Sequence, residues 1–215
     1  MLLFPALLRA TLVAAGLALS GAAFAHPHVW VTARAELLYE GGKVRAVRHH
    51  WTFDEGYSAV AVQGLDTNGD GKTTPDELAE LARTNVESLV DFGYFTALKA
   101  NGAKQRFGPP TNARMVYEKG QVTLTFDLPL NNPAGGRMVV LDVYDPTFFV
   151  DFRIADGDDA VTLSNGPGGC KMKITRPKPV TEEGKPLDEA SFQSLTATTK
   201  DFAADYSARA MAICP

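Results

Sequence analysis

A segment of twelve residues, dense in acidic residues and glycines, constrains the fold of this chain more than any other feature. It runs Asp66-Thr67-Asn68-Gly69-Asp70-Gly71-Lys72-Thr73-Thr74-Pro75-Asp76-Glu77. Oxygen-bearing side chains occupy its first, third, fifth, ninth and twelfth positions, and glycine occupies the sixth, where a calcium loop turns sharply. The predicted calcium ligands are Asp66, Asn68, Asp70, the backbone carbonyl of Lys72, Thr74 and Glu77. The pattern predicts an EF-hand-type loop for a structural calcium ion, with a helix before and after it.

Apolar residues on both sides of the loop favour that helix–loop–helix interpretation. Asp54 is a good N-cap, and we expect a short helix over Ser58–Leu65. A second helix is predicted over about Pro75–Phe92, because apolar residues recur on one of its faces. The chain has no second loop of this kind, so the expected calcium affinity is modest, on the order of 10⁻⁴–10⁻³ M. The alternative is an Asp/Gly-rich turn that holds no metal.

Alternation of apolar and polar residues predicts β-structure through most of the remaining chain. The predicted strands are His28–Leu38, Val44–Phe53, Ala113–Glu118, Gln121–Leu128, Arg137–Tyr144, Phe148–Ile154, Val161–Ser164 and Lys171–Thr175. Paired glycines, Gly41 and Gly42, predict a hairpin turn between the first two, and the Ala-rich stretch of about Asp188–Ile213 is predicted to be helical. The predicted fold class is therefore α+β: an antiparallel β-sandwich-like sheet with an inserted EF-hand-like helix–loop–helix at about 54–92 and a C-terminal helix.

The N-terminus has the pattern of a cleaved signal peptide, residues 1–25. A short apolar run follows Arg9, and the small residues Ala23 and Ala25 stand where signal peptidase requires them. The run is too short to cross a bilayer, which needs roughly 20 apolar residues. We therefore expect one periplasmic domain over residues 26–215, with no membrane insertion after cleavage.

The two cysteines, Cys170 and Cys214, are predicted to form a disulfide. An even count in an oxidising compartment favours a bridge. The alternative, a pair of ligands for a soft metal, is disfavoured by their wide spacing and the absence of a CxxC motif.

The histidines suggest a second kind of metal site. Signal cleavage would expose the α-amine of His26 beside its imidazole, and His28 faces the same way in an extended chain. A register set by the predicted hairpin turn places Asp54 and Glu55 beside His28. The predicted ligands of a transition metal are therefore His26, His28, Asp54 and Glu55, a set that suits zinc, nickel or cobalt, with copper as a further candidate. The alternative is a solvated or capping pair of histidines at the terminus.

The other two histidines are not expected to complete that site. The same register sets Arg34 opposite His49 and Ala33 opposite His50, about six residues or roughly 20 Å from His28. We expect His49 and His50 to be surface or packed strand residues.

Several function classes are disfavoured by composition and motifs. The formal net charge is −4 and no basic block is present, so nucleic acid is not an expected partner. The chain has no Gly-x-Ser-x-Gly nucleophile elbow, no His-Glu-x-x-His motif and no phosphate loop. We predict no catalytic residues and no organic cofactor, and therefore not an enzyme.

Several segments together resemble a known bacterial family. They are His26-Pro27-His28-Val29-Trp30, Trp51-Thr52-Phe53-Asp54-Glu55, the Asp66–Glu77 loop, Phe92-Gly93-Tyr94-Phe95-Thr96 and Val143-Tyr144-Asp145-Pro146-Thr147-Phe148-Phe149-Val150. The chain resembles the periplasmic proteins grouped as domain of unknown function 1007, which are often labelled periplasmic components of an uncharacterised ABC-type transport system. The resemblance implies a companion of nickel/cobalt-type membrane transporters and therefore a metal-handling role.

Three functional hypotheses follow from these observations. The first is a periplasmic metal-binding accessory protein that supports transition-metal transport, with an inner-membrane metal transporter as partner and a structural calcium loop. The second is a calcium-stabilised protein-interaction module that binds no transition metal. The third is a copper enzyme with an N-terminal histidine site.

Overall fold

The computed structural model describes residues 24–177, 179–198 and 205–215. The described chain is rich in strands and contains short helices. The strands are β1 Phe24–His26, β2 Val29–Glu40, β3 Lys43–Phe53, β4 Thr96–Ala100, β5 Ala103–Lys104, β6 Thr111–Glu118, β7 Gln121–Ala134, β8 Met138–Val143, β9 Val150–Ile154, β10 Val161–Ser164, β11 Lys171–Thr175, β12 Leu187–Asp188 and β13 Arg209–Ile213. The helices are α1 Glu55–Ala61, α2 Ala79–Ser88 and α3 Glu189–Thr198, with a 3-10 segment over Leu89–Phe95.

The first sheet has the strand order β10-β2-β3-β7-β6, and β9 also pairs with β2. The glycines at 41 and 42 both adopt positive φ in the predicted turn between β2 and β3, so the sequence located this hairpin. The pairs β2–β9 and β2–β10 are parallel, whereas the sequence predicted only antiparallel pairing. The chain leaves the first sheet after β7, forms β8 in the second sheet and returns as β9, and β10 then continues along the same edge of β2.

The second sheet has the order β11-β13-β8-β4-β5, and its pairs are all antiparallel. Its inner face meets the first sheet through fully buried side chains such as Leu98 and Leu141, which join Trp51 and Phe126 of the first sheet in one hydrophobic core. Burial of this apolar surface, at about 25 cal/mol per Å², is the main stabilising contribution to such a fold.

The predicted EF-hand-like helix–loop–helix insertion is wrong. Helix α1 has only seven residues and ends at Ala61, and the turn that follows contains Gly64 with φ 78° before the loop begins. Helix α2 begins at Ala79, after Glu77, and ends at Ser88. The two helices therefore do not enter and leave the loop as an EF-hand pair. Their apolar residues instead pack on the first sheet, α1 on β7 and α2 on the edge strand β6.

The predicted C-terminal helix is also wrong over its second half. Helix α3 occupies Glu189–Thr198, residues 199–204 lie outside the described part, and Arg209–Ile213 is the strand β13 between β11 and β8. Alternate residues Ala210 and Ala212 are buried in the core. Pairing with strands on both sides has thus overridden the helix propensity of an Ala-rich sequence.

The predicted disulfide is confirmed, since Cys170 and Cys214 are joined. A disulfide is compatible with an extracytoplasmic location. The predicted signal peptide lies outside the described residues except for its last two, which belong to β1. In the described part of the chain, no helix has the length and apolar character needed to cross a bilayer.

Candidate functional site

One surface cleft gathers several of the side chains that the sequence predicted as metal ligands. It has a volume of about 490 Å³. The polar side chains that line it are His28, Asp54, Glu55, Tyr57 and Glu183. It lies where β2 begins, β3 ends and α1 starts. An imidazole and three carboxylates therefore share one opening.

The carboxylate of Asp54 has a structural role in this cleft. Its Oδ1 accepts a hydrogen bond of 2.9 Å from the backbone N–H of Tyr57, and Oδ2 accepts one of 3.0 Å from the N–H of Trp30. The first bond confirms Asp54 as the N-cap of α1, and the second fastens the end of β3 to β2. Both oxygens already have a donor, so Asp54 could add a metal only through its remaining lone pairs.

His28 lies on the rim of the cleft. Its backbone N–H donates to the carbonyl of Phe149 at 2.9 Å, and the two rings lie 4.7 Å apart. Its side chain is exposed, as is that of Glu55. The structure thus brings His28, Asp54 and Glu55 to one cleft, although the register from which the sequence placed them together is off by one residue.

Glu183 is a residue of the cleft that sequence reasoning missed. It belongs to the stretch between β11 and β12, which contains Pro177, Pro179 and Pro186. Strand β12, which follows this loop, pairs with β1 so that Leu187 lies opposite His26. Thr181 also accepts a 3.4 Å hydrogen bond from the indole N–H of Trp30. These contacts hold the loop beside the start of β2, and no spacing rule could have linked it to His28.

The remaining predicted ligand, His26, lies in β1 by its backbone, and its side chain is outside the described part. Across the described ranges, no group of three or more His, Cys, Asp or Glu side chains is arranged to hold a metal ion. The cleft therefore contains candidate ligands that share a wall without converging on one point.

The Asp66–Glu77 loop folds around its own carboxylates. Oδ1 of Asp66 accepts from the N–H groups of Gly69 at 2.8 Å and Asp70 at 3.2 Å, and Oδ2 accepts from Gly71 at 2.9 Å. Gly71 has φ 80°, the left-handed conformation that the sixth position of a calcium loop needs. Asn68 and Asp70 accept in the same way from N–H groups two residues further on.

Glu77 closes the loop through two threonines. Its Oε1 accepts from the N–H and hydroxyl of Thr67 at 2.9 and 3.0 Å, and its Oε2 accepts from the N–H and hydroxyl of Thr74, both at 2.9 Å. These hydrogen bonds lower the pKa of Glu77 to about 2, and the largest contributions come from Thr74. Four donors occupy its two oxygens, so bidentate binding of calcium would require Glu77 to exchange threonine donors for the ion. Lys72, the predicted carbonyl ligand, lies in the same loop.

The two histidines of β3 occupy different environments. A β-bulge between Leu38 and Tyr39 shifts the register by one residue, so His50 lies opposite Arg34 and His49 opposite Ala35. The predicted pairing, which assumed a regular hairpin, is wrong by one position. His50 is half-buried, with Nε2 3.1 Å from Glu36 and Nδ1 3.2 Å from Thr125.

His49 is fully buried in the core. The hydroxyl of Thr96 donates to the carbonyl of Tyr94 at 2.7 Å, so it must accept from Nε2–H of His49 at 3.2 Å. Nδ1 is then an unprotonated acceptor, and it has no partner among the described residues. Removal from water lowers the pKa of His49 to about 3, with His50 adding to the shift. His49 is thus a neutral bridge between the two sheets, from β3 to β4.

The fold and the cleft define a disulfide-linked protein whose described residues form two large β-sheets and one two-stranded sheet, with an imidazole and carboxylates around one surface opening. The chain belongs to the family described as "Protein of unknown function (DUF1007)", whose model matches residues 11–214. It is also similar to the "Uncharacterized 15.5 kDa protein in trpE 3'region" of Spirochaeta aurantia, with 30% identity over 110 residues that cover 50% of this chain and 79% of the relative. No solved structure matches it.

Proposed function

We propose that this protein is an extracytoplasmic metal-binding accessory protein that supports transition-metal transport. The observation that carries the proposal is the single cleft that collects His28 with Asp54, Glu55 and Glu183. Imidazole nitrogen with carboxylate oxygen is a ligand combination that zinc, nickel and cobalt accept, and copper binds such sites as well.

The exposure of the rim residues supports reversible binding. His28, Glu55 and Glu183 are all exposed, so their side chains can change rotamer and close on an ion at little packing cost. Asp54 is held by two backbone N–H groups and is the fixed member of the set. A site that assembles around its ion suits a protein that takes up a metal and passes it on. The partner that we propose is an inner-membrane metal transporter.

Titration of the chain over residues 26–215, without a tag, tests this proposal with zinc and nickel separately. We expect one ion per chain for at least one of the two metals. Replacement of His28→Ala is expected to weaken binding by at least about tenfold, because even outer-shell partners of a metal contribute 10–100-fold. Isothermal titration calorimetry measures both the number of ions bound per chain and the affinity.

The matched control is His50→Gln, which removes an imidazole from the next strand but from a different surface. It is expected to leave the affinity unchanged. A variant with one extra residue before His26 separates the contribution of the terminal amine from that of the cleft. Equal affinity in the parent and in His28→Ala would place the metal elsewhere, and no binding in the parent would contradict the proposal.

A second candidate function is a calcium-stabilised interaction module, and the Asp66–Glu77 loop favours it. Oδ2 of Asp66, the amide oxygen of Asn68 and Oδ1 of Asp70 each accept one loop N–H group, which leaves a second lone pair on each of these three oxygens. Oxygen ligands of this kind select calcium over softer metals. Here calcium would stabilise the loop that joins α1 to α2.

Calcium is expected to raise the thermal stability of the parent chain through this loop. An ion that binds only the folded state adds about 2.7 kcal/mol at a hundredfold excess over its dissociation constant. Glu77→Gln should remove most of the gain, whereas Asp76→Asn, the same charge change at a position outside the ligand pattern, should retain it. Differential scanning calorimetry with and without calcium measures the effect. An equal response in both variants would rule out the loop as the site.

A further inference from the structure

The outer face of the second sheet carries a pattern that neither metal site explains. The register of four strand pairs aligns one residue from each strand into a row that crosses the whole sheet. In order, this row is Lys104, Lys99, Val140, Met211 and Lys173. Directly paired residues project to the same side of a sheet, so lysines flank an apolar centre at both ends of the row.

The adjacent row repeats the arrangement. Met138 lies opposite Ile213, which lies opposite Lys171. Met138 and Ile213 are 38% and 47% exposed, which is high for apolar side chains in central strands. A third row lies on the same face, next to the first row and away from Met138. It contains Asp142 and Arg209, which form an ion pair at 2.6 Å and so add no net charge. We call the first two rows the lysine face: Lys99, Lys104, Lys171, Lys173, Met138, Val140, Met211 and Ile213.

The four lysines of this face have no paired acidic side chain in the described part of the chain. All are exposed, and within the described residues none of them forms an ion pair. Lys99 and Lys104 lie directly opposite each other, an arrangement of like charges that destabilises a sheet. The whole chain carries a net charge of −4. A face with four positive charges on an acidic protein therefore points to an anionic partner.

We propose that the lysine face docks against an anionic lipid surface. Five strands spaced about 4.8 Å apart make a face roughly 19 Å across, broad enough to lie on a bilayer. The Met, Val and Ile side chains would enter the headgroup boundary, while the lysine stems extend so that their ammonium groups reach phosphates. Each lysine near an anionic bilayer contributes about 1 kcal/mol, or about fivefold in affinity.

The composition of the face favours lipid over a protein partner. Protein–protein interfaces are enriched in aromatic residues and arginine and depleted in lysine. The two rows of the lysine face contain no aromatic residue or arginine, and Arg209 in the neighbouring row is paired with Asp142. Lysines at the rim of an apolar strip instead suit a partner that presents many equivalent phosphates.

Vesicle co-sedimentation with the chain over residues 26–215 tests the proposal. The probes are vesicles of pure phosphatidylcholine and vesicles with about 30 mol% phosphatidylglycerol, at low and physiological salt. We expect binding only to the anionic vesicles, weakened by salt. The double variant Lys99→Glu/Lys173→Glu should bind at least about 25-fold more weakly, because two lysines contribute about fivefold each.

The matched control is Lys43→Glu/Lys119→Glu, which makes the same change in net charge at exposed lysines in hairpins of the first sheet. We expect its affinity to stay within about threefold of the parent, because distant charges are screened at physiological salt. Melting curves confirm that both double variants are folded. If both double variants lost the same affinity for anionic vesicles, the effect would depend on net charge alone and the proposal would be overturned. It would also be overturned if the parent bound poly-glutamate but no vesicle, which would identify an acidic polypeptide as the partner.

Discussion

Replacing Cys170 and Cys214 together by alanine is expected to lower the free energy of unfolding by about 4 kcal/mol. The bridge spans 44 residues, and opening a loop of that length restores considerable freedom to the unfolded chain. It also fastens the start of β11 to the end of β13, and these two strands are neighbours in the second sheet. Urea denaturation under oxidising conditions measures the difference between the variant and the parent.

Reductant provides the internal control for this experiment. Reduction should shift the denaturation midpoint of the parent towards that of the double variant and leave the variant unchanged. Alanine is preferred to serine because Cys214 is buried. A parent whose midpoint is insensitive to reductant would show that the bridge is not formed in solution.

Acid is expected to destabilise the protein through His49 between pH 6 and 4.5. An imidazole in the unfolded chain takes up a proton below about pH 6.5, whereas His49 in the fold does so only near pH 3. Between these values the unfolded state holds one more proton, so stability falls by about 1.4 kcal/mol per pH unit as the pH falls. From pH 6 to 4.5 the loss is about 2 kcal/mol, measured by urea denaturation at several pH values.

The slope of the free energy of unfolding against pH identifies His49, whereas the absolute stability does not. The variant His49→Gln removes the titrating group and should flatten the dependence between pH 6 and 4.5, even where it lowers stability throughout. His50→Gln removes the neighbouring imidazole and should leave most of the slope in place. The assignment fails if His49→Gln keeps the slope of the parent.

The sequence located the first hairpin but not its register. Alternation and the paired glycines were sufficient to predict β2, β3 and their turn. The bulge between Leu38 and Tyr39 inserts one residue without a signal in the hydrophobic pattern, and it moves the partner of Arg34 from His49 to His50. A register derived from a turn is therefore correct only as far as the first irregularity.

The largest error, the C-terminal strand, has a different physical cause. The segment Arg209–Ile213 alternates in burial, yet its small Ala residues carry a weak hydrophobic signal and a strong helix propensity. Its strand conformation depends on β8 and β11, which supply hydrogen bonds on both sides. Partners so distant in the chain cannot be identified from local pattern alone.

The sequence predicted only part of the cleft, because one of its residues comes from a distant part of the chain. His28, Asp54 and Glu55 lie close together because one hairpin joins them, and the shift of one residue in its register is too small to separate them. Glu183 reaches the cleft through the pairing of β12 with β1 and the hydrogen bond between Trp30 and Thr181, and the two short strands have no alternating pattern of their own.

The central place of β13 in its sheet sets the order in which the molecule can assemble. This strand follows every other strand in the sequence, and its Arg209 pairs with Asp142, 67 residues earlier. Until β13 is available, β11 has no neighbour in the second sheet and β8 lacks a partner on one side, which leaves strand edges open to aggregation. A chain that emerges from its N-terminus, during synthesis or export, therefore cannot close this sheet before its last strand is released.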